Sequence, residues 1–431
     1  MTALTDTASR RKGTVVTRAA VPDLDSVPVS NAGRRGANAG AVLRTALHHG
    51  PIARSTIARI TGLSPAAVTG HSADLAAAGL LRELPDEVRS NGAGRPHIPV
   101  AVDDTRHLVA AVHIAIPQTS VALLDLCGRV LASRDVPHTS TDADVVISRA
   151  ARALAELCEE HGGVRPLGIG TAVGGWVDAE SGMVMDHPRL GWSLVPLRDL
   201  LSEATGLPVY VDNHSRALLL GEILLGRARS AASVLHLFVG NVVDAAFATR
   251  GEAHYGAGSQ AGVIAHLPVV GSDAPCSCGR LGCLEATVSE SSLIRRAAEK
   301  GVIETTDYRL LLQAARSGNE EAVAMLVERA RLVGRAVALL TDIFSPELII
   351  VTDPAASYLP EVLAALRDSA GAHLRTVRDD VDSMLIPSGF PGAILETAGG
   401  AVILDALYRD PLAFIKINSE HCKIDGAGAR L

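Results

Sequence analysis

Residues 276–285 read Cys276-Ser277-Cys278-Gly279-Arg280-Leu281-Gly282-Cys283-Leu284-Glu285, and His266 stands a short way upstream. Three thiols and one imidazole make up the Cys₃His set that holds a structural zinc ion tetrahedrally. Gly279 and Gly282 allow so short a loop to turn tightly, because glycine takes positive φ without steric cost. Four protein ligands leave no open position for water, so the expected zinc is structural rather than catalytic. Cys127, Cys158 and Cys422 are scattered and show no ligand spacing. Clustered thiols without a disulfide pattern suit a reducing cytoplasm.

A chain of 431 residues is expected to hold two or three domains, at about 150 residues each. Its residues are 48% apolar but only 3% aromatic, so Ala, Val and Leu must fill the cores. No run of about 20 apolar residues is present, which excludes a membrane-spanning helix. Arg10, Arg11 and Lys12 precede no apolar run, so no secretory signal is expected. The net charge of −7 is uneven: residues 1–100 carry 12 Lys and Arg against 7 Asp and Glu, the remainder 28 against 40. A basic head on an acidic body suggests that the head meets a polyanion.

Residues 1–34 lack apolar periodicity and read as a flexible arm. Val42, Leu43, Ala46 and Leu47 mark a first amphipathic helix that stops at Gly50-Pro51. A second short helix, Arg54 to Thr61, ends at Gly62. Ser64 can cap a third, with Pro65 in its first turn, where no amide donor is needed. Leu80 to Glu83 can pair with Pro99 to Ala101, leaving Arg89 to Pro96 as a flexible basic wing. Residues 35–104 therefore read as a winged helix-turn-helix that binds double-stranded DNA. The third helix should bury Val68, Leu75 and Ala67 and turn Ala66, Thr69, Gly70, His71 and Ser72 outward. With no Arg or Lys on that face, bidentate guanine reading is not expected from it. The DNA-contacting set is Arg54, Ser64, Ala66, Thr69, His71, Arg89 and Arg95, with Arg95 suited to a narrow minor groove and Arg54 and Arg89 to phosphates.

From residue 105 to 412 strand and helix signals alternate, which predicts an α/β architecture. Expected strands include 108–116, 120–125, 167–173, 209–212, 234–239 and 348–351, with helices near 142–160, 213–226, 319–344 and 358–371. A length of about 310 residues favours two lobes. Residues 413–431 read as a tail without periodicity.

The phrases GIGTAVGGWVD (168–178), VDNH (211–214) and GVIAH (262–266), with the cysteine run ending GCLEA (282–286), resemble the ROK family of repressors, open reading frames and kinases. The resemblance runs from about Ala39 to about Pro411. It implies a two-lobed, actin-like sugar-kinase fold with a zinc loop over 262–285, a sugar in the cleft, and homodimers or homotetramers. It assigns the sugar or sugar-phosphate effector to Gly175, Asn213, His214, His266 and Glu285. Asn213 and Glu285 could equally serve as helix-end caps. The family's kinases carry Asp where His214 stands and Glu where Val263 stands.

The kinases also open their first lobe with Asp-x-Gly-Gly-Thr, where this chain has His113-Ile114-Ala115-Ile116-Pro117-Gln118-Thr119. Their second glycine-rich phosphate loop corresponds to Val239-Gly240-Asn241-Val242-Val243-Asp244-Ala245, and their adenosine-side glycine turn to Val351-Thr352-Asp353-Pro354. A cradle of backbone amides needs glycine for close approach, and proline has no amide hydrogen to give. These losses point to a non-enzymatic, cytoplasmic, sugar-sensing transcriptional repressor. The alternatives are an active ATP-dependent sugar kinase with a DNA-binding head, and a ligand-independent DNA-binding regulator.

Overall fold

The computed structural model describes residues 31–85, 98–375 and 381–424. Helix α1 (Asn31–His49) is followed by α2 (Arg54–Thr61) and α3 (Pro65–Ala77). Gly62 ends α2 in the left-handed region at φ 71°, and the Ser64 hydroxyl accepts the Ala67 amide at 3.2 Å to cap α3. Strand β1 (Leu81–Glu83) pairs antiparallel with β2 (Val100–Val102), setting Leu81 opposite Val102. Arg89, Arg95 and the rest of the expected wing lie outside the described residues, as do residues 1–30. One boundary differs from the sequence reading: α1 begins at Asn31, inside the segment read as an arm.

The first lobe opens with a meander of β3 (Leu108–Ile114), β4 (Gln118–Asp125) and β5 (Val130–Pro137), crossed by α4 (Ala143–Glu160). Strand β6 (Ile169–Val173) joins β3 in parallel. A ribbon of β7 (Trp176–Asp178), β8 (Met183–His187) and β9 (Trp192–Val195) and the helix α5 (Leu197–Thr205) lead to β10 (Val209–Asn213). The sheet order is β10-β6-β3-β4-β5. Helix α6 (His214–Leu224) then runs through the middle of the body, with nearly every side chain buried.

The second lobe repeats the plan. Strands β11 (Ser233–Val239), β12 (Val243–Thr249) and β13 (Glu252–Ala253) form the meander. After α7 (Leu284–Val288), α8 (Glu290–Glu299), α9 (Tyr308–Arg316) and α10 (Glu320–Phe344) comes β14 (Leu348–Thr352). Helices α11 (Pro354–Tyr358), α12 (Pro360–His373) and α13 (Val381–Met384) precede β15 (Leu385–Pro387). The order β13-β12-β11-β14-β15 matches the first sheet strand for strand. The hairpin turns β3–β4 and β11–β12 therefore hold equivalent places in the two lobes. Segment 239–245, expected to be a phosphate-type loop, is mostly strand, with only residues 240–242 in the turn. The run Val243–Ala248 is buried on both faces apart from half-buried Phe247, as in a strand inside the body.

Helices α14 (Ile394–Arg409) and α15 (Pro411–Ile424) close the chain. The expected structureless tail is thus helical as far as Ile424. Phe414 is buried and stacks on Tyr210 with ring centroids 5.6 Å apart, which gives that helix a packed face. Residues 425–431 lie outside the described set.

The N-terminal helices are not a loosely tethered unit. Val42, Leu43 and Leu75 share one continuous core with Val109, Leu124, Leu407 and Tyr408. Each fully buried Leu there contributes about 1.5–3 kcal/mol. Backbone meets backbone at Gly40, where a Cβ would stand 2.4 Å from the Tyr408 carbonyl and 2.7 Å from that of Arg409. Among the described residues no helix is long and apolar enough to cross a membrane.

Candidate functional site

The ligand atoms of His266, Cys276, Cys278 and Cys283 all lie within 4.8 Å of one another. Their loop is held by its own backbone: Cys276 N–H donates to Arg280 O at 2.9 Å and Gly282 N–H to Ala274 O at 2.8 Å. Gly282, at φ 69°, passes so close to Ser272 that a Cβ would stand 2.4 Å from its carbonyl oxygen. Cys278 and Cys283 sulfurs are 3.6 Å apart, and Cys276 Sγ is 3.5 Å from His266 Nδ1. A tetrahedral zinc with ordinary bond lengths sets those edges at about 3.8 and 3.5 Å. The residues present therefore fit the ion.

The five residues assigned to a sugar do not meet in one pocket. Asn213 sits at the junction of β10 and α6, where its Oδ1 accepts the Ser215 amide at 2.8 Å and so caps the helix. Its Nδ2 donates to Gly175 O at 2.8 Å and to Asp244 Oδ2 at 3.3 Å. His214 Nε2 stands 3.4 Å from the same carboxylate oxygen. Arg216 braces the knot from below, donating to Asp212 at 2.7 Å and to the carbonyls of Ser259 and Val177 at 3.0 Å. Around Asn213, Gly175 and Asp244 only about 10 Å³ remains open. His266 turns Nδ1 toward the thiols, and Glu285 accepts the Val243 amide at 3.1 Å. Neither lines that gap or the larger cavity beside it. His266 Nδ1 thus faces the cysteine loop, as a metal ligand would, and His266 is not among the residues lining either space.

The larger cavity, of about 590 Å³, lies between the lobes. Its walls include the three segments aligned with the kinase phosphate loops: 113–118, 239–242, and Thr352 with Pro354. The hairpin turns touch across it, with Asn241 Nδ2 donating to Ile116 O at 3.2 Å. Arg189 bridges the same gap, donating to Asn241 O at 2.8 Å and Ser291 Oγ at 2.9 Å. Four buried histidines surround this region: His113, His187, His214 and His236. Burial pushes His113 and His236 down to about 3 and His187 down to about 4, in each case with the nearby His214 imidazole adding to the effect.

Asp353 was read as a lost adenosine turn, and its place is structural. It N-caps α11 by accepting the Ala355 amide at 2.9 Å and takes a hydrogen bond from Arg329 at 2.8 Å, both side chains being 1% exposed.

Two functional candidates escaped the sequence reading. Asp244, quoted there only as part of the 239–245 segment, lies between Asn213 and His214. The buried histidines were not grouped. In each case the available signal was a lone polar residue inside an apolar run, such as His113 in Leu108–Ile116.

On the head, Ala66, Thr69, Gly70 and Ala73 form the exposed face of α3. His71 and Ser72 were expected outward but are buried, at 9% and 1% exposure. The helical period puts them on the inner side of α3 with Val68 and Leu75. Ser64 is occupied with capping, Thr69 Oγ1 donates to Pro65 O at 2.9 Å, and Arg54 is hydrogen-bonded to Glu83.

Residues 109–386 match the sequence profile of the ROK family. The chain belongs to the ROK family. It is 34% identical to a transcriptional regulator of Mycobacterium tuberculosis (strain ATCC 25618 / H37Rv) over 88% of this chain and 87% of that one. It is 28% identical to the xylose repressor of Caldicellulosiruptor bescii, over 76% of this chain and 85% of that protein. A solved ROK family transcriptional regulator, a homologue of the Escherichia coli Mlc protein, superimposes with TM-score 0.73 at 25% identity. It covers 89% of this chain and all (100%) of its own. A ROK glucokinase from Streptomyces griseus shares the fold at TM-score 0.62 and 24% identity, over 69% of this chain and 98% of its own.

Proposed function

We propose that this ROK protein is a cytoplasmic, non-enzymatic DNA-binding transcriptional repressor whose two-lobed body binds a sugar or sugar-derived effector. The observation that carries the reading is the joining of a three-helix, two-strand head to a sugar-kinase-like body through one shared core. A ligand that closes the lobes moves the head with them, because packed interfaces shift as units. The regulators and the repressor among its relatives support the same reading.

The head acts as a winged helix-turn-helix. The exposed face of α3 enters the major groove, where the methyl groups of Ala66, Thr69 and Ala73 suit contact with thymine. Backbone contacts come from the basic residues around it, Arg59 and the wing arginines Arg89 and Arg95. A homodimer or homotetramer places two heads on the half-sites of a pseudo-palindrome. His266, Cys276, Cys278 and Cys283 hold a zinc ion, which supplies folding energy to the second lobe rather than chemistry. The body does not transfer phosphate, because its turns keep a single glycine, Gly240, where several are needed to bring backbone amides to a triphosphate.

An anisotropy titration of the full chain against its own upstream DNA tests the central reading. Preference over random duplex, with strong salt dependence, is expected. No preference over random duplex rejects it, and ATP turnover with a hexose that vanishes in His214→Ala rejects the non-enzymatic body.

A further inference from the structure

The cavity between the lobes and the knot assigned to a sugar are different places, and their chemistry differs. In the knot the Asn213 side chain is hydrogen-bonded at both its oxygen and its nitrogen, and about 10 Å³ is left open. The cavity offers about 590 Å³, within the range of small-molecule sites. Much of its wall is apolar, with Ile116, Phe238, Val242 and Ile294 among the lining residues. Into that wall is set His113, 1% exposed, whose two ring nitrogens make no hydrogen bond to any described residue. A buried polar group without a partner costs about 1–3 kcal/mol, so a native structure that keeps one invites a partner from outside the chain.

The charges at the cavity argue against a polyanion. Both arginines that line it are exposed and already engaged, Arg189 with Asn241 and Ser291, Arg309 with Asp307 at 3.0 Å. Asp307 and Glu290 add acid to the lining. Burial keeps the His113 imidazole neutral, with its pKa near 3, so it presents one donor and one acceptor rather than a cation.

We propose that this cavity binds an uncharged, largely apolar small molecule bearing a hydroxyl or carbonyl group, and that His113 recognises that group. The site meets the sugar reading at His214 alone, since neither Asn213 nor Asp244, nor Gly175, His266 or Glu285, lines it. His214, at the N-terminus of α6, lies in the cavity wall, with its ring parallel to that of His113 at 6.0 Å between centroids. Occupancy would therefore be felt by the helix that runs from the cleft toward the head.

The test uses the full-length, zinc-loaded protein and two fluorescent probes of the same shape, 2-naphthol and naphthalene. Saturable one-to-one binding of both is expected, with 2-naphthol tighter by about tenfold, the ratio that one neutral hydrogen bond supplies. In His113→Phe the two affinities should converge. The comparison is internal to each sample, so partial loss of folded protein cannot imitate it, and His113→Leu repeats it with a smaller side chain. Val242→Trp, at a turn, should fill the cavity and abolish both titrations while leaving the thermal midpoint unchanged. The proposal is overturned by the absence of saturable binding, by a hydroxyl preference that survives both His113 variants, or by displacement of 2-naphthol by Mg-ATP.

Discussion

His48, in the last turn of α1, donates from Nε2 to the carbonyl of Leu224, the last residue of α6, at 2.9 Å. Helix α6 begins at His214 in the cleft, so one buried helix connects the cleft to the first helix of the head. A side-chain donor at a helix C-terminus satisfies a carbonyl that has no partner within the helix. The contact couples the two regions only while both helices keep their present spacing.

Replacing His48 with Ala should leave operator binding without effector nearly unchanged and reduce the shift in operator affinity that effector causes. Stability should fall by about 1 kcal/mol, the net worth of one hydrogen bond. Anisotropy titrations with and without the sugar found by calorimetry check this, and an unaltered shift would remove α6 from the coupling route.

Gly70 lies on the exposed face of α3, and a Cβ there meets no atom within 4 Å. Gly70→Ala should stabilise the protein by up to about 1 kcal/mol, the helix-propensity difference. If α3 enters the groove, the same change should weaken operator binding, because the added methyl reaches the DNA surface. Denaturant melts and DNA titrations on one preparation separate the two effects. A more stable variant with undiminished affinity would place the recognition surface elsewhere.

Arg329 is buried and donates to Asp353, Val288 O and Val239 O at 2.8, 2.7 and 2.9 Å. Arg329→Ala leaves Asp353 buried without its counter-charge and should cost about 3–5 kcal/mol. Chemical denaturation measures it. A loss below 1 kcal/mol, by the ordinary scatter of surface substitutions, would mean that water reaches Asp353.

The buried histidines predict acid sensitivity with a definite sign. Folded values of about 3 for His113 and His236 and about 4 for His187 lie below the ordinary 6.5. The unfolded chain then binds more protons, so these groups lose stability as pH falls through 6.5 toward 4 and change little above it. Glu290, raised to about 7 mainly by burial, acts in the opposite sense. A difference between variants isolates one imidazole: from pH 7 to pH 5, His113→Phe should lose about 2 kcal/mol less stability than the native chain. Equal losses in the two proteins would show that His113 is hydrated.

Cys278→Ser should abolish the one zinc per chain and lower the thermal midpoint, since the metal's binding energy is folding energy. Metal analysis by mass spectrometry decides it, and retention of zinc at one per chain would exclude the cysteine loop as its site.

Much of the fold could be read from local pattern. Helix α2, the Ser64 cap and the main strands rest on apolar period and turn chemistry, which act between near neighbours. The thiol spacing at 276–283 announced a metal loop for the same reason. What local pattern could not show was orientation around a helix axis on a small, alanine-rich element. His71 and Ser72 were assigned to the wrong face of α3 because Ala66, Ala67 and Ala73 give little contrast between its sides.

The order of residues along this chain was enough to set its class, its family and the His and Cys cluster that could hold a metal ion, because each depends on which side chains recur at short intervals. Only the tertiary structure decided that Asn213 and Asp244 hydrogen-bond to each other, that His266 Nδ1 faces the cysteine loop, and that the open volume lies beside His113. Those outcomes depend on distances between segments far apart in sequence, such as β10 and β12, which packing sets and spacing along the chain does not encode.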